Sequence, residues 1–355
     1  MKINQEFKSD LRHLLPEKTY LLDNINQAEI SRELEGYTVE SPLVLKKFDA
    51  SQDWNGKKIL LHLVGGIGDL VHLTPIIRQL KKNWDCTVDL CCSLRCRDIL
   101  ADHPLINKIY TYPLSVEELE EHNHDFMVSF EDLITHASDK KKNSVDTFAD
   151  HLGITVEDKK TDLYVNENHT FSLDLVKPKI KGKKRIVVQV APSSPCRTYP
   201  YMADIVNILV NKYKFEVVLC VDPNFPIQKI ENLPDTWATN EINGDLNTLK
   251  AIIASADGVI GHDSAIVHIG GAFNKPTVAL YASFWREARV KYEPSIYAFQ
   301  GTGACEPCSW SSRKSIFPQN KPCSQNPDVT KQRCVLFDSI NPMRVCNKLV
   351  QLMNK

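Results

Sequence analysis

No stretch of this 355-residue chain approaches the roughly 18 to 20 consecutive apolar residues that a membrane-crossing helix needs. The amino-terminal MKINQEFKSDLRHLL is polar and charged where a secretory leader would carry an apolar core. Charge of one sign is also lacking: 43 basic against 44 acidic residues leave a formal net charge of -1, so no global field advertises a nucleic acid or an anionic membrane. The expectation is a cytoplasmic protein with at most peripheral membrane contact, and nucleic acid is not an expected partner. The dinucleotide fingerprint is missing as well. Gly65-Gly66-Ile67-Gly68-Asp69 is too short a spacing, and an aspartate stands where a pyrophosphate would be repelled, which argues against a nicotinamide-dependent dehydrogenase.

What is present is a composition of 43% hydrophobic and 25% charged residues, ordinary for a soluble globular protein, over a length that exceeds one hydrophobic core. Residues 1–57 are charged, carry no ligand-like motif, have helix-like spacing from Ile25 to Leu34, and look like an appendage. From Lys58 an apolar strand runs into glycines and then into a helical pattern through Leu70, Leu73, Ile76, Ile77 and Leu80. The segments CTVDLCCSL, KIYTYPL and DFMVSFED continue as strands, with RCRDILADHP as a helix, so residues 58–165 read as one α/β domain with a parallel sheet. The lysine-rich 166–184 reads as a linker. A second strand and helix alternation from RIVVQVAP makes 185–340 a second α/β domain, with a cysteine-rich loop at 301–336 and a last amphipathic helix in 341–355. Cys86, Cys91, Cys92, Cys96 and Cys220 fall in or near apolar runs, where a reduced thiol behaves as a small hydrophobe.

Four constellations can carry chemistry. Gly65, Gly66, Gly68 and Asp69 follow the first strand, where glycines allow close backbone approach and Asp69 suits either a helix cap or a general base at the carboxyl edge of the sheet. In GVIGHDSAIVHIGGAF, Asp263 and Ser264 open a helix, and the amides of Ser264, Ala265 and Ile266 would cradle a diphosphate. His268 lies on the same helical face as Ser264, as a ligand contact or as a satisfied core histidine. In APSSPCRTYP, Ser193, Ser194 and Arg197 follow the first strand of the second domain, and a guanidinium there suits a phosphate. Cys305, Cys308, Cys323 and Cys334 have the ligand number of a closed structural site for zinc or iron, or are four ordinary surface thiols. Trp285, Arg286, Arg289 and Tyr292 add aromatic and basic groups that could hold sugar or phosphate.

The segments GGIGDLVHLTPIIRQLKK and ADGVIGHDSAIVHIGGAFNKPTVALYAS, in this order, resemble glycosyltransferase family 9, the lipopolysaccharide heptosyltransferases, over roughly residues 58 to 350. The resemblance implies the GT-B fold, two Rossmann-like domains facing a central cleft. It implies an ADP-sugar donor, heptose by preference, and inversion at the anomeric carbon without a catalytic metal or other cofactor. The acceptor would be a glycan or lipid-linked hydroxyl of a lipopolysaccharide core, with a protein side chain or a modified DNA base as alternatives. A nucleotide-sugar-binding protein without catalysis is the reading from a different class. Carried over, Asp69 is the base, Arg197 neutralises the leaving diphosphate, and Asp263, Ser264 and His268 bind the nucleotide. Tyr199 and Pro200 resemble the aromatic and proline pair after the basic residue. The chain departs from the family at Ala265, where a glycine is usual, and at Asp222, the nearest counterpart of a donor-contacting glutamate.

Overall fold

A computed structural model describes residues 51–131, 133–136, 139–166, 182–190, 197–220, 246–303, 305–307 and 334–355, together with residue 49 and short strands at 2–3, 7–8, 13–14, 37–38 and 241–242. The helix-like segment Ile25 to Leu34, most of the linker, Ser193, Ser194, Asp222, Cys308 and Cys323 lie outside the described residues. The chain forms two compact units. The first comprises residues 1–136 and 145–159, the second 137–144 and 160–355.

The first unit is built on four strands, β1 (Lys58–His62), β2 (Thr87–Ser93), β3 (Lys108–Tyr112) and β4 (Phe126–Ser129), all parallel in the spatial order β3-β2-β1-β4. Central parallel strands are covered on both faces, which is why KILLH and VDLCCS are buried almost without alternation. α1 (Ile67–Asn83) follows β1 and carries Pro75 in its interior. Pro75 has no N–H for the carbonyl of Val71, and the hydroxyl of Thr74 supplies that hydrogen bond at 2.9 Å instead. Where RCRDILADHP predicts an α-helix, the chain makes only a 3-10 helix, Leu94–Ile99. A helix that the sequence reading did not place, α2 (Val116–His122), sits between β3 and β4. Its capping box is formed by Ser115 and Glu118, the hydroxyl accepting from the Glu118 amide at 3.2 Å. The short α3 (Leu133–His136) and then α4 (Ser144–Leu152) follow.

At the amino-terminal end of this sheet Asp89, fully buried on β2, accepts from Asn107 at 2.8 Å and pairs with His124 at 2.9 Å and Lys58 at 3.4 Å. Burial pushes its carboxyl upward, but the hydrogen bonds from His124 and Asn107 and the Lys58 charge outweigh it, and the net shift is down.

The second unit has six parallel strands: β5 (Arg185–Gln189), β6 (Glu216–Cys220), β7 (Glu241–Ile242), β8 (Gly258–His262), β9 (Thr277–Tyr281) and β10 (Ile296–Gln300). Their spatial order β7-β6-β5-β8-β9-β10 is the doubly wound order 3-2-1-4-5-6. Helices α5 (Met202–Asn207), α6 (Leu246–Ser255), α7 (Ala265–Ala272) and the single turn α8 (Glu287–Val290) connect them. The terminal helix α9 (Pro342–Met353) starts on Asn341, whose side chain accepts from the amides of Met343 at 2.9 Å and Arg344 at 3.2 Å. Val345, Cys346 and Leu349 of α9 belong to the core of the second unit. The first residue of β8 is glycine because α9 lies against it: a Cβ on Gly258 would come within 3.0 Å of Leu349 Cδ1.

Burial of Cys86, Cys91, Cys92 and Cys96 agrees with the hydrophobe reading, and Cys220 is half-buried. The Cys92 thiol is pushed up to about 12 by burial, so it stays protonated.

Candidate functional site

In both sheets the strand order reverses beside the first strand, and ligands of such folds collect beyond the carboxyl ends of the strands at that point. In the first unit the switch lies between β1 and β4. His62 Nδ1 and the Ser129 hydroxyl, the last residues of those strands, are hydrogen-bonded at 3.0 Å. The chain then turns through Val64, Gly65 and Gly66 into α1. The Val64 amide donates to the Glu131 carboxylate, and the Gly66 amide donates to Asp69 Oδ2 at 3.3 Å. α1 begins at Ile67 with Gly66 at the N-cap, earlier than the start at Leu70 that the sequence suggests, so Asp69 is a reverse cap from within the first turn, and it remains partly exposed.

The glycines of this turn provide room, since among the described glycines only Gly56, Gly153 and Gly182 have positive φ. A Cβ on Gly65 would meet Asp69 Oδ2 at 3.3 Å. Cys96 Sγ lies 3.7 Å from the Gly65 carbonyl and helps fix the loop. Gly68 lies in the first turn of α1.

In the second unit the switch lies between β5 and β8. β8 ends at His262, and Asp263 and Ser264 lead into α7 with Ser264 at the N-cap. Arg197, after β5, donates through Nη1 to the Asp263 carbonyl at 2.7 Å, with the Asp263 carboxylate 4.0 Å away. Tyr199 is only 1% exposed and donates its hydroxyl to the Ile340 carbonyl at 2.6 Å. Its amide donates to His262 Nε2 at 2.9 Å. Tyr199 thus fastens the loop that carries Arg197 onto the core.

That same hydrogen bond requires a neutral His262. Burial and the nearby Arg197 charge lower its pKa to about 3. Tyr281, at the end of β9 and fully buried, is kept as a phenol by burial and by the Asp263 carboxylate.

Ala265 and Ile266 form the first turn of α7, and His268, on that helix, is buried. Of the additional aromatic and basic residues, Trp285 is stacked under Lys141 at 4.1 Å, and Arg286 donates to the Ala298 carbonyl at 2.8 Å. Arg289 is buried and donates to the Ser144 hydroxyl at 3.2 Å, while Lys291 Nζ lies 5.0 Å from the Tyr292 ring. Cys334 belongs to the second unit's core cluster and Cys305 packs against that cluster.

Sequence reasoning missed Glu131, His262, Tyr281 and Gln189. A strand-end position was the available signal for the last three. The Glu131 contact to Val64 spans 67 residues and left no local trace.

A guanidinium stands at the head of α7, where the peptide dipoles already present partial positive charge. The Asp263 carboxylate, 4.0 Å from Nη1, shares in balancing that charge.

Residues 142–314 match the sequence model described as glycosyltransferase family 9 (heptosyltransferase). Asp69 lies outside that match. The structure is similar to that of the glycosyl transferase family 9 from Veillonella parvula DSM 2008, at 14% identity and a TM-score of 0.61, over 85% of this chain and 99% of that one. It is also similar to the ADP-heptose LPS heptosyltransferase II of E. coli, at 15% identity and a TM-score of 0.60, over 84% and 98%. A third similar structure is the bacterial iron-containing dodecameric glycosyltransferase TibC from enterotoxigenic E. coli H10407, at 12% identity and a TM-score of 0.62, over 86% and 80%. No curated protein matches the chain in sequence. Among the described residues no helix is long and apolar enough to cross a membrane.

Proposed function

We propose that this chain, a glycosyltransferase of family 9 with a GT-B-like fold, moves a heptose from an ADP-activated donor to a hydroxyl of a glycan or lipid-linked acceptor, inverting the anomeric carbon. The observation that carries the donor half of the reading is Arg197 at the head of α7, 2.7 Å from the Asp263 carbonyl. In the reaction, Asp69 takes the proton of the acceptor hydroxyl as its oxygen bonds to the anomeric carbon. The bond between that carbon and the diphosphate breaks, and its electron pair leaves on the nucleoside diphosphate. Negative charge grows on the diphosphate in the transition state. Preorganised donors aimed there, Arg197 and the first amides of α7, supply the largest stabilisation, with no metal ion required in that role. Asp69 Oδ2 already accepts from the Gly66 amide, which orients the carboxylate. Gly66 and Gly68 give the acceptor close access to the turn. Ser193, Ser194 and Asp222 belong to the same reading as donor contacts, and His268 as a nucleotide contact.

The second part of the proposal is a structural metal site formed by Cys305, Cys308, Cys323 and Cys334, for zinc or iron. Cys305 and Cys334 meet the same core cluster, which supports it, and the similar TibC structure is described as iron-containing. Elemental analysis of purified protein and of the Cys305→Ser variant tests this. Loss of a stoichiometric metal in the variant supports it, and metal-free wild type removes it.

The experiment for the donor reading is calorimetry of the full chain with ADP, UDP and GDP, followed by turnover with ADP-heptose and a lipopolysaccharide-core acceptor. ADP binding that Arg197→Ala loses, with turnover, supports the reading. Preference for UDP or GDP replaces the donor, and ADP binding without turnover on any glycan acceptor favours the non-catalytic alternative.

A further inference from the structure

Ser264 is among the residue types best suited to close the amides at the start of a helix, and in an anion site those amides must stay open. Its backbone is extended, as an N-cap requires, with φ -162° and ψ 174°, yet its side chain caps nothing. The hydroxyl donates instead to Oε1 of Gln189, the last residue of β5. The same oxygen accepts the His262 amide at 3.3 Å. The Val267 amide turns back to the Ser264 carbonyl at 3.2 Å, so the amides of Ala265 and Ile266 are the ones the hydroxyl leaves without a cap.

We propose that Gln189 is a positioning residue for the donor diphosphate: it holds the Ser264 hydroxyl away from the capping position and so keeps the first-turn amides of α7 available to phosphate oxygens. The inference rests on the donor-site reading above. Glutamine suits the task because it accepts a hydrogen bond without bringing charge. A carboxylate at this place would set a negative group against the incoming diphosphate. An aliphatic side chain would release the hydroxyl to cap the helix, and each phosphate would then have to displace an internal hydrogen bond.

A double-mutant cycle tests it, with ADP as the probe on the full chain. Gln189→Leu is expected to weaken ADP binding about tenfold in calorimetry, the scale of one N-cap. In a Ser264→Ala background the Gln189→Leu substitution has no further effect, because no hydroxyl remains to close the helix. Amide exchange supplies an ADP-independent readout: Gln189→Leu alone slows exchange at the first turn of α7. Equal losses with and without the Ser264 hydroxyl would make Gln189 merely structural and overturn the proposal, as would unchanged affinity in Gln189→Leu. A wild type that binds no ADP, with slowed exchange in Gln189→Leu, overturns the donor reading while the hydroxyl switch stands as geometry alone. Gln189→Met, closer in volume, repeats every arm if the leucine variant does not fold.

Discussion

The Arg197 guanidinium reaches the backbone carbonyl of Asp263 at 2.7 Å, while the carboxylate of that residue stands 4.0 Å off. In the proposed donor site the guanidinium divides its planar fork between this carbonyl and the diphosphate. A lysine has a single nitrogen and cannot reproduce this division. Arg197→Lys is therefore expected to weaken ADP binding about tenfold while leaving the fold intact, read by calorimetry beside a circular dichroism melt. Wild-type affinity in the lysine variant would show that only net charge matters there.

In the proposed reaction Asp69 serves two ends, cap and base, that substitutions can separate. Asp69→Asn keeps an oxygen for the Gly66 amide and removes the base, so the melting temperature holds while kcat falls on the order of 100-fold to 10,000-fold. Asp69→Ala loses both and adds the cost of a lost cap, about 1 kcal/mol, in denaturant unfolding. An asparagine variant with full kcat would leave Asp69 as a cap alone.

Gly261 is the point where β8 and α7 come closest. A Cβ there would lie 2.5 Å from Ile266 Cγ2 and 3.0 Å from Val267 Cγ2, so Gly261→Ala must push the first turn of α7 outward. The expected loss is about 1–3 kcal/mol of stability, accompanied by weaker ADP binding. Stability lost without any change in affinity would mean that the turn recovers its geometry.

His262 ties stability to pH. Its folded pKa of about 3 lies below the ordinary histidine value, so the unfolded chain takes up a proton first as pH falls. The contribution is complete above about pH 6.5 and declines toward pH 3 with a slope of about 1.4 kcal/mol per pH unit. Melting temperatures across that window measure it. His262→Gln, which keeps a neutral acceptor for the Tyr199 amide, is expected to be flatter over the same range.

Asp89 acts in a lower window. Its carboxyl is held below the usual value, so its contribution is present above about pH 4 and is lost as pH falls through the lowered folded value. Asp89→Asn is expected to cost on the order of 3 kcal/mol at neutral pH and to shed the steepest part of acid unfolding, as followed by fluorescence.

The alternation of strands and helices was legible from Lys58 onward because parallel strands and crossover helices leave distinct apolar periods. The spatial order was not, since pairing of β1 with β4 or of β5 with β8 depends on partners 67 and 72 residues away. SVEELEEH carries a readable capping box in Ser115 and Glu118. The buried pair of Arg185 and Glu216, 2.9 Å apart, looked in the sequence like two surface charges. In the site, Asp263, Ser264 and Arg197 could be named from helix-start chemistry. Gln189 offered only its strand-end position, because its significance is a hydrogen bond to a residue 75 positions later.

The assignment of residues 137–144 to the second unit and 145–159 to the first means that the backbone passes between them three times. A gene divided once, near residue 160, would yield a carboxyl-terminal product without Asn143 and Ser144, whose side chains bond the carbonyls of Glu287 at 3.3 Å and Ala288 at 3.2 Å. Arg289 would lose the hydroxyl it donates to. Shuffling halves between relatives therefore takes three junctions where sequence order suggests one, so the two units are constrained to be inherited together.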